Sequence, residues 1–192
     1  MSSKARTRDR VGTLTVSAML ALSLMACTGD RVDDLPPLAS PSAEAILPTP
    51  ADPTHQAILD TYYGSVAAMV AAHEAIDPEH PDLERYFIER TPALLTIQHV
   101  INRHSPHGAH YSGELLVVSA TVTEVDLDSV PARATIEACL DDTDFQLVFE
   151  ADGTPVPDTV PGGRYTVTAG ALLGTDDRWY IVENTSHWDE PC

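Results

Sequence analysis

The hydrophobic period of the chain changes once, near residue 108, and that change does most to limit the fold. Before it, apolar side chains recur at three- and four-residue steps: Ile58, Tyr62, Val66, Met69, Val70 and His73, then Leu94, Ile97 and Ile101. That spacing places them on single faces of helices. After it, they alternate with polar ones, as in Ala132, Ala134, Ile136, Ala138 and Leu140, the period of half-buried strands. Helices first and strands afterwards predict an α+β domain, with helices packed on one face of an antiparallel sheet.

Local signals set the boundaries. Asp52-Pro53-Thr54 reads as a helix start, Asp52 capping and Pro53 at the first helical position. The helix is expected to run to about Ala75 and to stop at Asp77-Pro78. Gly64 weakens its interior by about 1 kcal/mol against Ala and leaves room for a close contact. A short second helix is expected over residues 81–88, with Leu83 and Phe87 four apart. Thr91-Pro92 starts a third, and Gly108 marks its exit.

In the sheet, Leu116, Val118, Ala120 and Val122 alternate, and Val125 and Leu127 then take the opposite parity. A strand that changes phase while staying apolar predicts a bulge near Thr123-Glu124 and a bend in the sheet. Phe145, Leu147 and Phe149 follow the acidic turn at Asp141-Asp142-Thr143-Asp144. Tyr165, Val167, Ala169, Ala171 and Leu173 make a further strand, and Arg178-Trp179-Tyr180-Ile181-Val182 the last. Asp152-Gly153 is a hairpin signal, extended by Pro155, Pro157, Pro161 and Gly162-Gly163. The count is four to five strands.

Ahead of the domain lies a different kind of segment. Lys4, Arg6, Arg8 and Arg10 precede an apolar run from Val11 to Met25. That run is short for a spanning helix, which needs roughly 20 residues, and suits a signal-peptide core. It ends in Leu24-Met25-Ala26-Cys27, which reads as a lipobox, with Cys27 the residue to be lipidated after removal of residues 1–26. Two acyl chains on Cys27 hold a protein stably at a bilayer. The expected location is therefore the extracytoplasmic face of the cell membrane, with the lipid anchor as the membrane contact. Residues 27–51 carry Pro36, Pro37, Pro41, Pro48 and Pro50 among Ser, Ala and Asp and show no sustained period. They read as a disordered, semi-stiff tether leading to a domain at 52–192.

Charge narrows the partners. The chain has 11 Lys+Arg against 29 Asp+Glu, a net charge of −18. Without residues 1–26, seven basic side chains face 28 acidic ones, a net −21. Nucleic acid is excluded as a partner, since phosphate binding needs a basic patch. So is direct adsorption of the domain on an anionic bilayer. With Cys27 acylated, Cys139 and Cys192 remain, and an even pair on the oxidising side of a membrane is most simply a disulfide. The alternation places Cys139 on the outer side of its strand, within reach of a tail ending in Cys192.

The order of a long helix, a short one, a third and then a strongly curved sheet resembles the NTF2-like (cystatin-like) fold, and more narrowly the actinobacterial NTF2-like secreted and lipoprotein families of unknown function. The matching stretches are Val122 to Asp128, Ala134-Thr135-Ile136-Glu137-Ala138-Cys139-Leu140-Asp141, and Arg178-Trp179-Tyr180-Ile181-Val182 with the terminal Cys192. The resemblance covers roughly residue 54 onward and carries no catalytic signature. It implies a cone of three helices on a curved sheet, a Cys139–Cys192 bridge, and a pocket inside the cone. Tyr62 and Tyr165 are the pocket candidates.

The expected role is a non-enzymatic binding or scaffolding module of the cell envelope with a protein partner there and no cofactor. Two other readings stand beside it. In the first, the pocket binds a small ligand or works as an isomerase-like enzyme. That chemistry needs a base and an oxyanion donor converging there, and Asp60, Tyr62, Tyr63 and Tyr165 are of the right types. In the second, His99, His104, His107 and His110 capture a metal; imidazoles suit zinc or copper, but the spacing matches no metal motif and a polar loop explains it as well. Asp141, Asp142 and Asp144 fit turn chemistry better than a calcium loop, which they would need a glycine and a glutamate to complete.

Overall fold

In the computed structural model, residues 52–192 are described. Cys27, its lipobox and the 27–51 tether lie outside the described residues. Helix α1 spans Pro53–Ala75. The Asp52 carboxylate accepts the Thr54 N–H at 2.8 Å, so one of the orphan donors of the first turn is satisfied by the expected cap. At the other end Ile76 takes a left-handed conformation and returns its N–H to the last turn, which closes the helix without a glycine. Helix α2, Pro92–His104, begins on Thr91-Pro92. Its buried face is Ala93, Leu94, Ile97 and Ile101.

The segment between them differs from its expected form. Only Leu83–Arg85 winds, as one turn of 3-10 helix. Leu83 and Phe87 are buried as their spacing suggested, but Phe87 already bridges to Ile181 and the Tyr86 carbonyl accepts the Ile181 N–H. An edge of the sheet claims the backbone before a second helical turn can form. A second single turn of 3-10 helix, Ser105–His107, carries α2 to Gly108, which has positive φ.

Six strands follow: β1 Ala109–Ser112, β2 Leu116–Asp126, β3 Arg133–Asp141, β4 Gln146–Phe149, β5 Arg164–Leu173 and β6 Trp179–His187. β2, β3, β5 and β6 form one antiparallel sheet in that order. β1 and β4 pair separately. The main sheet departs from a flat ladder at three places, two in β2 and one between β5 and β6. The slip between Val122 and Glu124 is the bulge expected there. The slip between Val117 and Ser119 was not expected, and it reverses the inward face of the strand's start. Leu116 and Val118 are exposed, while Val117, Ala120, Val122 and Val125 pack on the core. Leu127, past the second bulge, is exposed too.

The core is the space between the two helices and the concave residues of the sheet. Ile58, Tyr62, Val66 and Ala72 of α1 meet Ile97 and Ile101 of α2 over Ala134, Ile136, Ala138, Ala169 and Ala171. Small residues in β3 and β5 let the helices lie close to the strands. The outer face carries the disulfide: Cys139 and Cys192 are bonded, with Cα atoms 5.8 Å apart. Among the described residues no helix is long and apolar enough to cross a membrane.

Candidate binding cavity

The core is not filled to its end. Where α1, α2 and the sheet diverge, a cavity of about 250 Å³ remains. Its floor is apolar, with Val66, Met69, Ile97, Leu140 and Val167 among the lining residues. Tyr62, from the middle of α1, and Tyr165, from the start of β5, both line it. The two residues singled out as pocket candidates are thus brought together, from positions more than a hundred residues apart.

Tyr62 is only 1% exposed, and its hydroxyl has no hydrogen-bond partner among the described residues. A buried hydroxyl without a partner costs on the order of 1–3 kcal/mol. Burial and the neighbouring Tyr63 hold its ionisation well above the ordinary phenol range. Burial, then Asp142 and the other phenols, do the same to Tyr165. Both are neutral hydrogen-bond donors at any physiological pH. Trp188, just past β6, lies over Tyr165 with ring centroids 4.0 Å apart, and it lines the same cavity. The Cys139–Cys192 bond anchors the tail that carries it.

A layer of aromatic rings backs the cavity. His73, on α1, packs edge-on against Tyr111 and Phe145 at 5.6 and 5.9 Å between centroids. Tyr111 and Phe145 stack on each other at 5.5 Å. His104 meets the far side of Tyr111 at 5.9 Å. Burial, helped by the nearby His104 and His110, lowers His73 to about 4, so it is neutral at pH 7. The apolar stripe of α1 already contained His73. The share of Tyr111 and Phe145 was not legible, because β1 is four residues long and was read as part of a loop.

The other sequence candidates fall elsewhere. Asp60 is exposed on α1, accepting from Gln56 at 2.7 Å. Tyr63 is 43% exposed and borders a separate shallow groove between α1 and β2. Neither reaches the cavity with Tyr62 and Tyr165. The four clustered histidines are spread over three elements: His99 exposed on α2, His104 at its end, His107 in the following turn and His110 on β1. Among the described residues no group of three or more His, Cys, Asp or Glu is placed to hold a metal ion. Asp141 and Asp142 each have a structural task. Asp141 accepts from Thr143 and is paired with Arg164 at 2.9 Å, and these contacts hold it down to about 2. Asp142 accepts the Gly163 N–H at 2.7 Å.

Neither a protein-family model nor a curated protein matches the chain. Among solved structures, the crystal structure of the intermembrane space region of the chloroplast protein ARC6 aligns with a TM-score of 0.44 and 13% identity, over 69% of this chain and 95% of that one. An alignment at that score bears on neither ancestry nor function.

Proposed function

We propose that this protein is a lipid-anchored cell-envelope binding module. Its domain is an NTF2-like cone, held outside the membrane by acylated Cys27 and the 27–51 tether, and its cavity takes a small molecule. The membrane contact follows from the lipobox and the short apolar run before it. The single observation that favours a small ligand over a purely scaffolding role is the cavity of about 250 Å³ itself, walled by aromatic and aliphatic side chains with Asp142 among them. Native cores of this size are close-packed and satisfy their buried polar groups. A mostly apolar cavity with a few polar groups at its wall is what a preformed ligand site offers. An envelope protein partner is compatible with this role and would be delivered or relieved of the ligand.

Titration of the full chain with 1-aminoanthracene, a neutral fluorophore of suitable size, tests the reading. The expected result is saturable fluorescence enhancement that Ala93→Leu, a substitution at the cavity wall, weakens by about tenfold through occupied volume. Enhancement that is absent, or that Ala93→Leu leaves unchanged while the variant melts as wild type, would overturn it.

A further inference from the structure

Charge and aromatic content divide the ligands this cavity can hold. Neither Lys nor Arg is among its lining residues, and Asp142 is the one acidic residue among them. Arg164, next to the cavity in sequence, is paired with Asp141 instead. Arg103 reaches the field at Tyr111 from outside but does not line the void. Asp142 spends one carboxylate oxygen on Gly163 and has no ion pair among the described residues. Its negative field extends to the Tyr111 and Tyr165 hydroxyls, whose ionisation it opposes.

Six of the lining residues are aromatic: Tyr62, Phe87, Tyr111, Phe145, Tyr165 and Trp188. Ring faces are negative, and an ammonium group is attracted to them, more strongly once water is excluded. An anionic ligand would meet Asp142 with no cation to answer it. A wholly apolar ligand would cover the Asp142 carboxylate with nothing to answer its charge. An ammonium head meets both Asp142 and the rings.

We infer that the cavity binds a small organic cation, its ammonium group held among the aromatic rings beside Asp142. This rests on the cavity being a ligand site and adds the class of ligand. The histidines do not compete for the role, since His73 stays neutral until about pH 4.

The test is calorimetric titration of the full chain in a non-ionic maltoside micelle, with empty micelles as the blank. The probes are acetylcholine and 3,3-dimethylbutyl acetate, which share one shape and differ by nitrogen for carbon and hence by one positive charge. Acetylcholine is expected to bind at least about tenfold tighter, the scale of a desolvated cation–π site. Asp142→Asn, which keeps an acceptor for Gly163, should remove most of that preference. Equal or tighter binding of the neutral ester would overturn the cationic class while leaving the cavity a ligand site. No binding of either ester, together with no 1-aminoanthracene signal, would overturn the site itself. The wild-type comparison decides even if a variant fails to fold.

Discussion

His73 and Gly64 show how single residues carry the account. His73 has a folded pKa of about 4 against an ordinary 6.5. The unfolded chain therefore binds a proton at a higher pH than the folded one does. Its contribution is complete above pH 6.5 and is lost as pH falls from 6.5 to 4. That difference corresponds to about 3 kcal/mol. His73→Phe keeps the edge-on packing and removes the proton. Melting curves of the variant should flatten between pH 6.5 and 4, where the wild type loses stability. Gly64 faces the Tyr86 ring, and a Cβ there would sit 2.7 Å from the Tyr86 hydroxyl and nearer still to ring carbons. Gly64→Ala gains about 1 kcal/mol of helix propensity, but the overpacking costs about 1–3 kcal/mol. A lower midpoint in denaturant is the expected result, and Tyr86→Leu in the Gly64→Ala background should recover it.

At the scale of elements, what was legible in the sequence depended on how long a pattern ran. α1 ends at Ala75 as its periodicity indicated, and the inward faces of β3 and β5 are the alternating residues read from the sequence. These elements have nine or more residues, enough for a period to repeat and for one phase to win. β1 and β4 have four each and are held by pairing with each other across some forty residues, an interaction that no local window contains. The bulge at Val122/Glu124 was visible because the apolar parity changed after it. The one at Val117/Ser119 was not, since Leu116, Val117 and Val118 are all apolar and fit either phase. The cavity was half visible: Tyr62 and Tyr165 lay on core-facing phases, but a void is a property of divergence between elements, and no residue pattern announces one. Likewise the expected second helix had the right apolar spacing, but its Tyr86 carbonyl accepts from Ile181 of β6 instead of continuing the helix.

The Cys139–Cys192 bond belongs to the same scale, since it ties the tail after β6 to the outer face of β3 across 53 residues. Closing a loop of that length stabilises a fold by about 4 kcal/mol in the chain-entropy model. Reduction, or Cys192→Ser, is expected to lower the melting temperature by roughly 10 °C. It should also loosen Trp188 from Tyr165, read as a change in tryptophan emission at temperatures where the domain remains folded. Unchanged melting and emission after complete reduction would separate the tail from both roles.

For the whole molecule, location and chemistry support each other. Under the proposed processing the net charge would be −21, which disfavours contact of the domain with an anionic bilayer, and the proposed tether of prolines would hold it clear. The same acidity raises the local concentration of small cations around the domain, in keeping with a cavity that has a carboxylate and neither lysine nor arginine at its wall. On this account the anchor sets where the protein waits and the cavity sets what it holds. The most direct test is the intact mass of the protein purified from its native membrane, recorded under conditions that preserve non-covalent complexes. The account predicts a chain beginning at diacylated Cys27, two protons lighter than its reduced form, and carrying a small-molecule adduct that Ala93→Leu diminishes. An unacylated chain cut elsewhere and carrying nothing would contradict it.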